Sequence, residues 1–99
     1  MEIKELFAKF YPDTCISVME LCPYYDGRQS FYGKAKVIEI ENDVFLSSYD
    51  TIVAFYNREV RIPQVYDTYS ATTLRHIKEF LKQSGFVAEN KRQIERDYM

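Results

Sequence analysis

Few residues of this chain could carry out catalysis or bind a metal. His76 is the only histidine, and the two cysteines, Cys15 and Cys22, lie far before it in the sequence. A metal site needs several ligating side chains that converge, and the sequence shows no metal-ligand spacing and no local signature of a nucleophile. We therefore expect His76 to lie on the surface of a helix near Phe80, with no metal, no cofactor and no enzymatic activity. A cysteine–histidine pair would require Cys15 or Cys22 to lie under that helix.

A basic stripe is the first candidate binding surface. Arg75, Lys78 and Lys82 are spaced at i, i+3 and i+7, which places them on one face of a helix. Such a stripe can contact nucleic-acid phosphates. The alternative is a solvated face on which Arg75 pairs with Glu79 at i+4.

Hydroxyl side chains form a second cluster at the start of the same segment. Ser70, Thr72 and Thr73 could hold an anion at a helix N-terminus, where backbone amides point outward. Capping of the helix by Ser70 is the simpler interpretation, and it is the one we favour.

Aromatic residues form the third candidate surface. The chain has nine tyrosines, seven phenylalanines and no tryptophan. Tyr24 and Tyr25 adjoin an Asp-Gly turn, where a large ring has little core to enter. Tyr32 alternates with Lys34 and Lys36, which should point to water. We predict an exposed patch of Tyr24, Tyr25 and Tyr32 that contacts a protein partner, although such rings can also stack on bases.

Length and charge limit the class of protein. The chain has 99 residues, of which 46% are hydrophobic and 28% charged, which is typical of one globular domain. Its net charge of -2 argues against both a general nucleic-acid binder, which needs a basic excess, and a DNA mimic. The charge is uneven, because residues 70–99 carry 6 basic and 4 acidic side chains, a net of +2.

The pattern of apolar residues predicts an α+β domain. An amphipathic helix over 2–11 precedes a turn at Gly27, where we expect a positive φ. Apolar and alternating segments predict four or five antiparallel strands, at 15–22, 30–41, 44–49, 52–56 and 59–62.

Within 30–41 the apolar residues change from one face of the strand to the other between Val37 and Ile38, a switch of parity. We therefore expect a bulge there or a sheet that is covered on both faces. The turns are predicted at Asn42-Asp43 and Asp50-Thr51.

Residues 70–84 have the strongest local signals for a helix. Ser70 is a suitable N-cap, and Tyr69 and Leu74 occupy the positions of a hydrophobic staple. Gly85 and Phe86 follow the last turn as in a Schellman motif. We expect this helix to pack on one face of the sheet. The tail 87–99 is expected to be helical over about 89–98 or partly disordered, within a single domain 1–99.

Two segments resemble a known family. They are Ser48-Tyr49-Asp50-Thr51-Ile52-Val53-Ala54 and the run from Tyr69 to Gln83, YSATTLRHIKEFLKQ. Over about residues 44–86 the chain is similar to small uncharacterised proteins of Gram-positive bacteria, their phages and plasmids. The resemblance implies a mobile-element accessory gene, and many products of such genes bind a host protein, as anti-CRISPR proteins do.

These observations lead to one functional prediction and one alternative. We predict a small protein that acts by binding a host or phage protein through its aromatic patch. The alternative is a nucleic-acid-binding regulator that uses Arg75, Lys78 and Lys82. The two unpaired cysteines and the lack of a signal-like or membrane-length apolar run predict a cytoplasmic protein without a membrane partner.

Overall fold

One antiparallel sheet forms the centre of the fold, in a computed structural model that describes residues 15–28, 30–66 and 70–99. Within these residues the strands pair in the order of the sequence, so the predicted meander is confirmed with five strands. The strands are β1 Ile16–Glu20, β2 Ala35–Ile40, β3 Asp43–Ser48, β4 Thr51–Asn57 and β5 Gln64–Val65.

Two helices follow the sheet in the chain, α1 Ala71–Gln83 and α2 Lys91–Tyr98. Helix α1 contacts β3 and helix α2 contacts β5. The α+β class is therefore confirmed, and the tail contains a helix. The helix predicted over 2–11 lies outside the described residues, as does Tyr69 of the predicted staple.

Helix α1 begins and ends as its local sequence predicts. The Ser70 side chain accepts a hydrogen bond from the backbone N–H of Thr73 at 3.2 Å. At the other end Gly85 has a φ of 87°. The Phe86 amide donates to the Leu81 carbonyl at 2.9 Å, and the Gly85 amide donates to the Lys82 carbonyl at 3.1 Å. These two bonds form a Schellman motif, so the carbonyls of the last turn are satisfied.

The predicted strand over 30–41 is correct only in its second half. Tyr32 and Gly33 adopt left-handed backbone conformations, with φ of 54° and 72°, and form a turn before β2. A strand cannot contain two such residues, since the ladder needs extended backbone. The Glu20 carboxylate accepts the Gly33 amide at 3.0 Å and ties this turn to β1. The positive φ predicted at Gly27 is wrong, because the left-handed residues lie here instead.

The parity switch at Val37 and Ile38 reflects a sheet with apolar residues packed on both faces. Ile38 is buried among Ile16 and Ile40, whereas Val37 packs against the other cluster, which includes α1. The pairing of β2 with β1 and β3 is regular. The register shift of this sheet lies between Leu46 and Ser47, where β3 pairs with β4.

Both central hairpins have two-residue turns that begin one residue before the predicted positions. Ile40 pairs with Asp43, so the first turn is Glu41-Asn42. The second is Tyr49-Asp50, with φ of 51° and 64°. Positive φ at both turn residues is the geometry that matches the twist of a hairpin.

The strand predicted over 59–62 is wrong. Residues 58–60 form a turn, and the last strand is Gln64–Val65. The Asn57 side chain accepts the amides of Glu59 and Val60 at 2.9 and 3.1 Å. These local bonds replace the ladder bonds that a strand would need.

Candidate functional site

The connection between β1 and β2, which we call the β1–β2 loop (residues 21–28 and 30–34), lies along helix α1. Leu21 and Phe31 are buried in the main core and hold the two ends of this loop. Between them, the Gln83 amide group donates to the Cys22 carbonyl at 2.7 Å. The loop is therefore held against the helix at several points.

A buried carboxylate provides the central anchor of this loop. Glu79 accepts the backbone amides of Tyr25 and Asp26, each at 2.8 Å, through the same oxygen. Its second oxygen accepts the Gln83 amide at 2.7 Å. Charge-assisted bonds of this kind are among the stronger hydrogen bonds in proteins. They place Tyr24, Tyr25 and Asp26 beside the outer face of α1.

The expected pair of Arg75 and Glu79 is not formed. The Arg75 guanidinium instead lies 3.2 Å from the Asp26 carboxylate of the β1–β2 loop. Glu79 cannot turn outward to meet Arg75, since its oxygens are used by the loop amides and Gln83. The basic side chain therefore forms a second link between the helix and the loop.

A groove of about 460 Å³ lies between the β1–β2 loop and α1, and we call it the loop–helix groove. Tyr25 and Asp26 line it from the loop. Its other lining side chains include Leu74 and the whole predicted basic stripe, Arg75, Lys78 and Lys82. The fold thus brings the stripe and one tyrosine of the predicted patch to the same groove.

The charge of this groove is positive. Its lining contains three cations, those of the basic stripe, and two carboxylates, Asp26 and Glu79, which gives a net charge of +1. Asp26 pairs with Arg75. Lys78 and Lys82 have no such acidic neighbour among the ion pairs of the described residues. Such a groove favours a partner group that carries negative charge.

All three tyrosines of the predicted patch are exposed. Tyr24, Tyr25 and Tyr32 are 79%, 54% and 77% exposed. The rings of Tyr24 and Tyr25 touch edge to face, with centroids 4.9 Å apart. Tyr32 does not share a strand face with Lys36, because it lies in the turn before β2; it lines a separate pocket together with Lys34. Tyr25 therefore lines the loop–helix groove and Tyr32 lines this pocket, whereas Tyr24 lines neither and contacts Tyr25.

That second pocket, which we call the His76 pocket, has a volume of about 210 Å³. The Phe31 and Tyr49 rings lie 4.6 and 5.8 Å from the His76 ring, measured between centroids. The other side chains that form its wall include Tyr32 and three cations, Arg28, Lys34 and Arg75. The sequence did not single out Arg28 or Tyr49, since neither belongs to a periodic pattern.

His76 is buried, so the prediction of a surface histidine is wrong. Its Nδ1 lies 2.8 Å from the Ser48 hydroxyl, which is also 3.1 Å from the Thr73 hydroxyl. Burial lowers the pKa of His76, the positive charge of Arg28 lowers it further, and Asp26 opposes the shift. This shift favours the uncharged form of the imidazole.

The Ser48–His76 distance is that of a nucleophile and its base. Ser48, however, is buried and does not line the His76 pocket. Cys15 and Cys22 are free and exposed, and neither of them lines it. Ser48, Thr73 and His76 thus form a buried polar cluster whose members satisfy one another.

Residues 15–28, 30–66 and 70–99 contain no group of three or more histidine, cysteine or acidic side chains that could hold a metal ion. No helix within these ranges is long and apolar enough to cross a membrane.

The fold and the site define a small α+β protein in which a tyrosine-rich loop and a basic helix face meet at one groove. The chain belongs to a family of unknown function, DUF8033, whose model matches residues 19–96. The match runs from β1 to α2, which is wider than the resemblance over 44–86 suggested. Searches of the curated proteins and of the solved structures found no match.

Proposed function

We propose that this protein is a small accessory protein, not an enzyme, that acts by binding another protein. Its binding face comprises the loop–helix groove with Tyr25, the adjacent Tyr24, and Tyr32 at the His76 pocket. The observation that carries the proposal is that Tyr25 and the basic stripe line one groove. Exposed tyrosines beside basic side chains are typical of interface hot spots.

The chemistry of this face indicates an acidic partner surface. Lys78 and Lys82 supply positive charge at the groove, while the nearby acidic groups are already engaged. Charge complementarity would speed association and orient the partner. The tyrosine rings would supply most of the affinity, because rigid rings lose little conformational entropy on binding.

The cellular setting is a further part of the proposal. We expect a mobile-element accessory gene of Gram-positive bacteria or their phages, whose product inhibits a host or defence protein in the way that anti-CRISPR proteins do. Its support is the resemblance of the Tyr69–Gln83 motif. Two exposed free thiols, Cys15 and Cys22, support a reducing cytoplasm.

Nucleic-acid binding is the second candidate function. The same groove combines three cations with a tyrosine ring, and this combination suits a single strand whose bases stack on aromatic side chains. A protein that binds in this way loses affinity steeply as salt rises. The net charge of -2 places this candidate second.

Capture from a host lysate, with and without nuclease, separates the two candidates. The first variant replaces Tyr24, Tyr25 and Tyr32 by alanine, and Tyr66→Ala is its control at another exposed tyrosine. The second reverses Lys78 and Lys82 to glutamate and keeps Arg75, which holds the loop through Asp26. The control for the second variant is the charge reversal of Lys91 and Arg92 on α2.

We expect a captured protein that resists nuclease and is lost with the tyrosine variant but not with Tyr66→Ala. Each important tyrosine should contribute about 2 kcal/mol, which is roughly a thirtyfold change in Kd. Capture that nuclease abolishes, and that only the Lys78 and Lys82 reversal removes, would overturn the proposal in favour of nucleic-acid binding.

A further inference from the structure

The His76 pocket is built differently from the loop–helix groove and has its own chemistry. Its floor and walls include the rings of Phe31, His76, Tyr32 and Tyr49. Its volume, about 210 Å³, is below the roughly 300–1,000 Å³ of sites that enclose a drug-sized ligand. The pocket therefore suits one small group rather than a whole cofactor.

Three cations converge on this small space. Arg28 and Lys34 come from the β1–β2 loop, and Arg75 comes from α1. Among the residues that the structure describes, no acidic side chain lines the pocket. Asp26 is the nearby carboxylate, but it pairs with Arg75 and accepts the Arg28 amide at 2.9 Å. The pocket thus carries an excess of positive charge within a chain whose net charge is -2.

Hydrogen bonds fix the backbone around the pocket and the imidazole ring of His76. The Tyr49 amide donates to the Lys34 carbonyl at 2.8 Å, and the Tyr32 amide donates to the Ser30 hydroxyl at 2.9 Å. His76 is fixed from below by Ser48. These contacts fix the backbone that carries Tyr32 and Tyr49 and the imidazole of His76, so the pocket is partly ordered before a ligand binds.

We propose that the His76 pocket binds a phosphomonoester, with the phosphate at Arg28, Lys34 and Arg75 and an attached ring against Tyr32 and Tyr49. A phosphomonoester carries a charge of about -1.5 to -2 at pH 7, which matches several cations better than a carboxylate does. Arginine binds phosphate through parallel N–H donors. Thr72 also lines the pocket in the first turn of α1, where the helix dipole favours an anion.

His76 provides a direct readout, because it is the only histidine and its imidazole signals in NMR spectra are therefore unique. Phenyl phosphate, inorganic phosphate, AMP and N-acetyl-phosphotyrosine amide are each titrated at constant ionic strength, with sodium chloride as the control. We expect phenyl phosphate to produce a saturable shift and to raise the pKa of His76, since its charge offsets that of Arg28. It should bind at least tenfold more tightly than inorganic phosphate, because the ring adds contacts.

The same titration separates two sources of the ligand. Tighter binding of AMP than of the phosphotyrosine amide indicates a nucleotide, and the reverse order indicates a phosphorylated side chain of a protein. Either order supports a phosphomonoester site.

Two variants test the pocket: Lys34→Gln alone, and Lys34→Gln combined with Arg28→Gln. Arg58→Gln is the matched control. Arg58 pairs with Glu39 and does not line the pocket. We expect at least a tenfold loss of phenyl phosphate affinity in the double variant, an intermediate loss in Lys34→Gln and none in Arg58→Gln. The proposal is overturned if the His76 signals respond only as they do to sodium chloride, or if the double variant binds like the wild type. Because the titration uses no protein partner, its outcome does not depend on the outcome of the capture experiment.

Discussion

At the scale of single residues, two buried polar side chains of α1 organise the candidate face. His76 closes the floor of its pocket and bonds to Ser48, whereas Glu79 holds the β1–β2 loop through two backbone amides. Both lie on the inner half of a helix whose outer half carries the basic stripe. Both residues therefore have a structural role, which is to hold the candidate face in position.

The buried His76 predicts a loss of stability in acid. Its pKa is lowered in the folded protein by burial and by Arg28, so the unfolded chain binds the proton more readily. The free energy of unfolding should then fall as the pH drops through about 6.5, and the loss should end below the folded pKa. Urea unfolding between about pH 7.5 and 5, together with NMR titration of His76, measures this effect.

His76→Asn supplies the comparison, because it removes the titrating group. This variant should lose the part of the pH dependence that is centred near the pKa of histidine. A measured pKa of His76 at or above the ordinary value would contradict the prediction.

Because the Glu79 carboxylate is buried, we expect even a conservative substitution there to lower the stability of the protein. Glu79→Gln keeps the size of the side chain but removes the charge that strengthens the bonds from Tyr25 and Asp26. We expect a loss of about 2 kcal/mol of stability, since hydrogen bonds to charged groups are the stronger ones. Chemical denaturation measures the loss, and hydrogen exchange should show faster exchange of these two amides.

Glu95→Gln is the control, because Glu95 is exposed on α2. It should change stability by less than about 0.5 kcal/mol. Equal effects of the two substitutions would mean that the loop does not depend on the Glu79 carboxylate.

At the scale of elements, the C-terminal end of α1 depends on the left-handed conformation of Gly85. A β-branched residue is strained at its φ of 87°, and an added Cβ would also lie 3.4 Å from the Arg61 guanidinium. Gly85→Val should therefore destabilise the protein by about 1 kcal/mol or more, measured as a shift in the denaturation midpoint.

Gly27→Ala is the matched control within the β1–β2 loop. Gly27 has no positive φ, and an added Cβ would meet nothing within 4 Å. This substitution should leave stability unchanged or raise it slightly. A midpoint for Gly85→Val equal to that of the wild type would refute the role assigned to Gly85.

At the scale of the whole molecule, the sheet carries a cluster of buried apolar side chains on each face. Ile38 is 0% exposed in the cluster with Ile16 and Ile40, on the face opposite the main core. Ile38→Ala should cost about 2–5 kcal/mol, the range for deleting a buried isoleucine side chain. The same change at Ile62, which is 70% exposed, should cost little. If the two substitutions lower stability by similar amounts, the face that carries Ile38 does not contribute a buried core.

Much of the fold follows from signals that lie within a few residues of one another. The ends of α1 were predictable because Ser70 caps an amide three positions away and Gly85 and Phe86 bond within the last turn. The switch of parity at Val37 and Ile38 indicated either a bulge or two covered faces, and the regular pairing of β2 with both neighbours leaves the second. The strand predicted over 59–62 failed because Asn57 captures the following amides locally, and alternation alone does not reveal this competition.

The candidate face, in contrast, was decided by tertiary structure. The sequence by itself determined that Tyr24, Tyr25 and Tyr32 and the basic stripe are candidates for contact, and it treated them as rival surfaces. The meeting of Tyr25 with the stripe depends on bonds that Glu79 accepts from amides 54 and 53 positions away. The burial of His76 depends in the same way on Ser48, which is 28 positions away. No local pattern specifies such contacts, because they join residues that are far apart in the sequence and meet only in the folded protein.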